Sequence, residues 1–127
     1  MTDATGDFFQ ELAHRHHDRR LQAIDHGSVR FDISDRGRAR HWLVRIARGR
    51  IWVAQVDSPR GGDAVVEADS SVFDRIARGE AYFLTTVLRG EATVIGSPHL
   101  FATVRKLFPP PPYRHADEME RSGGSHE

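Results

Sequence analysis

Eight histidines in a chain of 127 residues are the side chains best suited to hold a metal or move a proton near neutral pH. His14, His16 and His17 stand close together, but around a helix they do not converge on one ion. No two histidines have the i, i+4 spacing of a helical zinc site. They read as a solvated helix face, with His16 a boundary residue on its apolar side. The chain has no cysteine, which excludes disulfides, thiolate ligands and a cysteine nucleophile. No Gly-x-Ser-x-Gly elbow is present, and Ser58, next to Pro59, has nothing that marks it as activated. Asp57, Asp63, Glu67 and Asp69 form a run of acids, and paired carboxylates can do acid–base work. At loops and strand ends, however, such acids usually only solubilise. The glycines at 49, 61, 62, 79, 90 and 96 fall at turns and compose no phosphate-binding fingerprint. The expectation is a protein with no catalytic residue, no metal and no cofactor.

What remains is apolar, and its spacing defines the elements. Phe8, Phe9, Leu12, Ala13, Ala23 and Ile24 share one face of a helix expected over 8–25. At Val29 the period becomes two. Val29, Phe31 and Ile33 alternate with polar residues, as do Trp42, Val44 and Ile46. The turn signals Asp35-Arg36-Gly37-Arg38 and Arg48-Gly49-Arg50 join these strands to a third, Ile51 to Val56, as an antiparallel meander. Ala64 to Ala68 is a short fourth strand. A helix follows, with a capping-box-like start at Ser71 to Asp74 and a stop at Gly79. Glu80 to Arg89 reads as a helix, with a strand as the alternative. Glu91 to Ile95 is a fifth strand. Ser97-Pro98 opens a last helix, on which Leu100, Phe101, Val104, Leu107 and Phe108 keep helical spacing.

The folded unit is expected over 6–108, followed by a Pro-rich, disordered tail over 109–127. Pro-Pro-Pro-Tyr, ending at Tyr113, is either a ligand for polyproline-reading domains or a helix terminator. Eighteen basic residues balance eighteen acidic ones, which argues against a nucleic-acid partner. No apolar run approaches the roughly 20 residues of a membrane span. Nothing at the start has the form of a signal peptide, so the expected location is cytoplasmic.

The order of these pieces, with particular residues, resembles the sterol carrier protein (non-specific lipid-transfer) domain family. Val29-Arg30-Phe31-Asp32-Ile33 resembles its opening strand, and Trp42-Leu43-Val44-Arg45-Ile46 with Gly49 its second strand and hairpin. Asp63 to Ala68 is similar to its short strand before a helix. Gly79-Glu80, then Gly90-Glu91-Ala92-Thr93-Val94-Ile95-Gly96, resembles its glycine-punctuated strand, and Leu100 to Phe108 its final helix. The resemblance covers roughly residues 25–108. The segment 80–90 departs from it, carrying Tyr82 and Phe83 and no proline.

The resemblance implies an α+β fold: a five-stranded, mainly antiparallel sheet with helices on one face and an apolar tunnel between them. It implies a non-enzymatic carrier of a small hydrophobic ligand: a sterol, a fatty acid or an acyl-CoA. Each buried methylene gains about 0.8 kcal/mol, so a sixteen-carbon chain gains on the order of 12 kcal/mol gross. Micromolar affinity needs about 8 kcal/mol, so no polar anchor is required. The expected lining is Phe73, Ile76, Phe83, Leu84, Val87, Leu100, Phe101, Val104 and Phe108, with Trp42 and Val44 as the sheet wall. The last helix, 98–108, is expected to act as the lid. Transient membrane contact is compatible with this role. The alternatives are an interaction module with a filled core, docking onto a lipid-metabolism enzyme, and an enzyme with an acid from the Asp57 to Asp69 run inside the cavity.

Overall fold

The computed structural model describes residues 3–108, so the tail expected over 109–127 lies outside the described residues. Asp3 opens the first helix, α1 (Ala4–Arg15), by accepting the Gly6 N–H, and Arg40 grips the same carboxylate at 3.0 Å. The helix expected over 8–25 is therefore displaced, and it is also split. It ends at His16, whose φ of 38° is left-handed. Asp18 then starts a single 3-10 turn, Arg19–Leu21, by accepting the Arg20 N–H. The break has a cause in the sheet: the His16 carbonyl accepts the Ile51 N–H, and the Asp18 N–H donates to Gly49 O. A continuous helix could make neither bond. Phe8, Phe9 and Leu12 still bury on one side, as the apolar stripe requires.

The meander forms as its turn residues dictate. β1 (Gly27–Asp35), β2 (Arg38–Ala47) and β3 (Arg50–Val56) are successive antiparallel strands. Both connections have positive φ at their two central residues, Arg36-Gly37 and Arg48-Gly49, which the tightest hairpin turn demands. β4 (Ala64–Asp69) then lies parallel to β1 on its other edge, and β5 (Ala92–Gly96) pairs antiparallel with β4. The order is β3-β2-β1-β4-β5, a mixed sheet with one parallel pair. β3 and β4 run in the same direction, so residues 57–63 must cross β2 and β1. Arg30 holds that crossover from below, donating to Gly61 O at 2.8 Å.

The crossover side of the sheet also carries Asp32. Its carboxylate accepts from Arg30 Nε at 2.9 Å and lies 2.7 Å from His41 Nδ1. Burial pushes this carboxyl up, but the bonds from Arg30 and His41 outweigh burial and hold it below the usual range. On the opposite face, Val29, Phe31, Ile33, Val44, Ile46 and Val66 are buried under the helices.

α2 (Ser70–Ala77) is capped by Asp69, which accepts the Ser71 N–H and the Ser71 hydroxyl. The capping box expected at Ser71 to Asp74 is thus shifted, and Asp74 is occupied elsewhere, accepting from Thr5. The segment read as helix or strand is a short helix, α3 (Phe83–Leu88). Gly96 closes β5 at φ 133°, where a Cβ would come within 2.9 Å of Ala64 Cα and Asp63 O. Only glycine allows β4 and β5 to meet there. α4 (Pro98–Val104) begins as expected, with the His99 N–H donating to Ser97 Oγ, and a 3-10 turn, Arg105–Leu107, prolongs it. Among the described residues no helix is long and apolar enough to cross a membrane.

Candidate functional site

The space between helices and sheet is built from phenylalanine. Phe9 of α1 lies flat between Trp42 of β2 and Phe73 of α2, with ring centroids 4.6 and 5.5 Å apart and planes within 13° and 9°. Phe31 of β1 stands edge-on to Phe9, Phe73 and Phe108 at 5.2 to 6.0 Å. Phe108, after the last 3-10 turn, stacks on Phe83 at 4.7 Å and on Phe8 at 5.2 Å. Phe83 in turn meets Phe101 of α4 at 5.8 Å. Such offset and edge-on pairs add to the free energy of burying the rings.

The residues expected to line a cavity fall into three groups. Phe73, Ile76, Phe83, Val104, Phe108 and Val44 are buried in this interior. Trp42, Val87, Leu100 and Phe101 pack against it while partly exposed. Leu84 is 37% exposed and sits at the surface of α3. Sequence reasoning omitted Phe8, Phe9 and Phe31, the rings that join α1 to the sheet. Their signals were present: Phe8 and Phe9 begin the first apolar stripe, and Phe31 is the inward residue at the middle of β1.

Among the described residues, the buried side-chain polar atoms have partners, with one exception. Thr5, fully buried, donates to Asp74 Oδ1 at 2.6 Å. Thr86 donates to Phe83 O at 2.6 Å. Trp42 Nε1 is buried and has no acceptor among the described residues. The run of acids lies away from the rings. Asp57 and Glu67 are exposed, Asp63 accepts the Ser28 N–H at 3.0 Å, and Asp69 caps α2. The Ser71 hydroxyl and N–H hold the Asp69 carboxyl below its ordinary value. Among the described residues no three His, Asp or Glu side chains are placed to hold a metal ion. What this arrangement does chemically is exclude water from an interior of packed aromatic rings.

No protein-family profile matches the chain, and no curated protein matches it. Solved structures do. The sterol carrier protein domain 2 of Helicoverpa armigera superposes with a TM-score of 0.66 at 13% identity, covering 82% of this chain and 84% of that one. A palmitated sterol carrier protein 2-like protein from Aedes aegypti gives 0.59 at 16% identity, over 80% of this chain and 91% of that one. The stereoselective inverting sec-alkylsulfatase of a Pseudomonas species gives 0.62 at 16% identity, over 80% of this chain but only 16% of the enzyme. The chain therefore has the sterol carrier protein fold, an α+β fold that also occurs as a small part of a larger enzyme.

Proposed function

We propose that this protein binds and carries a lipid, with the hydrocarbon enclosed between the sheet and the helices, and that it does so without catalysing a reaction. The observation that supports this most is the aromatic interior itself. It is walled by Trp42 and Val44 on the sheet and by Phe73, Ile76, Phe83, Val87 and Val104 on the helices. A fully buried sixteen-carbon chain gains on the order of 12 kcal/mol gross, and lost motion takes back several of these. The remainder suffices for micromolar binding. Entry requires the closing segment to move. Leu100, Phe101, Val104, Leu107 and Phe108 are the side chains of that segment that pack against the interior. The palmitated relative supports an acyl chain as ligand, and the reading keeps the cytoplasmic location expected from the sequence.

The test is titration of folded protein with a fluorescent fatty acid and a fluorescent sterol, together with native mass spectrometry of protein purified from cells. Saturable binding of one probe, or a co-purifying lipid, is the expected result. Absence of both sinks the carrier reading.

A second reading is favoured by two observations. The phenylalanine rings lie within contact distance of one another, as in a filled core, and the same fold makes up 16% of the alkylsulfatase. On that reading the protein is a docking module for a lipid-metabolism enzyme. It predicts that neither probe binds and that the protein co-purifies with such an enzyme.

A further inference from the structure

The helices cover one face of the sheet, and the opposite face carries a groove of its own. On β3, Trp52, Ala54 and Val56 alternate onto that face, and their cross-strand partners on β2 are Arg45, Leu43 and His41. Ala54 is the short side chain between two large ones, so the row is notched at its middle. Along an extended strand the Cα atoms of Trp52 and Val56 stand about 13 Å apart, with only a methyl group between them. The notch opens into a groove of about 480 Å³ lined by Leu43, Arg45, Trp52, Ala54 and Val56. That volume is within the range of small-molecule sites. A second hollow, of about 370 Å³, shares Trp52 and Arg45 and extends toward Ser28 and Asp63.

Four of the five lining residues are apolar, and Trp52 is 50% exposed. The fifth is a cation. The Arg45 guanidinium has no hydrogen-bond or ion-pair partner among the described residues. A second cation, Arg50, lies over Trp52 at 5.9 Å from the ring centroid and has no acid paired with it either. The acids of this face do not neutralise the pair. Asp63 accepts the Ser28 N–H and hydroxyl, and Asp32 is held by Arg30 and His41. Asp57 follows Val56 but does not line the groove, and Glu67 lies on β4, two strands away from β2. An apolar groove with an unmatched cation at its rim complements an apolar body that carries one negative charge.

We propose that this groove is a binding site for an aromatic carboxylate. The ring system lies over Ala54 and Leu43 against Trp52, and Arg45 holds the carboxylate. The indole stacks favourably on a flat ring, and the guanidinium fork matches a carboxylate. A rigid ring also fills the notch without the loss of freedom that a flexible chain undergoes on binding. A neutral ligand would leave Arg45 unmatched, and a cationic one would meet Arg45 and Arg50 together. The groove and the phenylalanine interior lie on opposite faces of the sheet, so the proposal stands independently of the carrier reading.

The test is titration of the full chain, labelled with nitrogen-15 at its tryptophan indoles, with 2-naphthoate. A Trp52→Phe variant assigns the two indole resonances. The Trp52 resonance is expected to shift saturably, while that of Trp42, stacked on Phe9 under the other face, stays in place. Naphthalene-2-methanol, with the same rings and no charge, is expected to bind about fivefold more weakly, and Arg45→Gln is expected to cost 2-naphthoate the same factor. Added salt should weaken 2-naphthoate and leave the alcohol unaffected. Decanoate, an anion without a ring, should bind more weakly than 2-naphthoate. Ala54→Ile fills the notch with a side chain suited to a strand and should abolish the Trp52 shift. A Trp52 resonance unmoved by millimolar 2-naphthoate overturns the proposal, as does movement of Trp42 in its place. Equal affinity of the acid and the alcohol, or of the parent and Arg45→Gln for the acid, overturns the role of Arg45 and the anionic class. Decanoate binding more tightly than 2-naphthoate overturns the aromatic class.

Discussion

The Thr5 hydroxyl donates to Asp74 Oδ1 at 2.6 Å, joining the first turn of α1 to the middle of α2 across 69 positions of sequence. Thr5 is fully buried, and Asp74 is half-buried beside it. This is the polar counterpart of the Phe9–Phe73 stack between the same two helices. Thr5→Val keeps the shape of the side chain and strands the carboxylate. The expected loss is about 1–3 kcal/mol of stability, since the acceptor is charged and partly desolvated. Urea unfolding of the two proteins measures it, and a midpoint unchanged in Thr5→Val would show the bond to be energetically idle.

Acid should weaken the corner after α1. Bonds from Arg20 hold the Asp18 carboxyl down at about 2, against an ordinary 3.8, with Arg15 adding to them. A carboxyl depressed on folding stabilises above its unfolded value, and that contribution is lost as pH falls through the folded value. The Asp18 contribution is thus complete above about pH 5 and mostly gone near pH 2. It amounts to about 1 kcal/mol, because Arg20 is half exposed and solvent screens the pair. Asp18→Asn should be less stable than the parent at pH 7 by that amount and equal to it near pH 2. Denaturant midpoints at the two pH values decide this, and a gap that persists unchanged in acid contradicts it.

Two glycines with positive φ should respond differently to the same change. At Gly37, φ is 83° and an added Cβ meets nothing within 4 Å, so Gly37→Ala costs only the backbone term, about 1 kcal/mol. At Gly96 the added Cβ meets backbone atoms of residues 63 and 64 at 2.9 Å, on the strand β5 must pair with. Gly96→Ala should cost at least twice as much as Gly37→Ala. Thermal melts of the pair provide the comparison, and equal losses would mean that β4 and β5 can part without penalty.

If the interior takes an acyl chain, its lining and its surface should separate in binding. Phe101→Ala removes a partly buried ring beside Phe83 and should weaken fatty-acid binding about tenfold. Leu88→Ser changes a side chain that is 77% exposed and should leave both affinity and stability nearly unchanged. Titration of both variants with a fluorescent fatty acid is the check. A Leu88 variant impaired as much as the Phe101 variant would move the site to the surface of α3.

Much of this architecture was legible in residue order. Val29, Phe31 and Ile33 announced β1 by alternation alone, and Arg36-Gly37 and Arg48-Gly49 announced the two turns. Ser97-Pro98 announced the start of α4. The errors came where a distant partner outweighed a local pattern. The stripe from Phe8 to Ile24 has helical spacing, but the edge of β3 takes the His16 carbonyl, and that bond ends the helix. Ser71 and Asp74 have capping-box spacing, but Asp69 lies closer to the open N–H groups, and Asp74 is drawn to Thr5. The parallel placement of β4 had no local signal. The buried interior was legible as a list of apolar residues, but not as a stack, because periodicity tells which way a ring points and not which ring it meets. Trp42 was readable as an inward residue of β2; its unmatched N–H was not, since pairing of a donor is decided by all its neighbours at once.

The crossover over residues 57–63 has a consequence for how the chain acquires its shape. β1, β2 and β3 can assemble from neighbouring residues, closing two tight hairpins within microseconds. β1 then keeps one open edge until β4 has passed the meander and laid itself alongside, with Val29 opposite Ala64 and Ser34 opposite Asp69. Such a pairing brings together residues some 35 positions apart, and it needs a strand that the hairpins do not contain. The nascent protein would therefore have one edge of β1 paired and the other open until residues 57–63 have crossed, and such long-range pairing is the slow step of a fold like this.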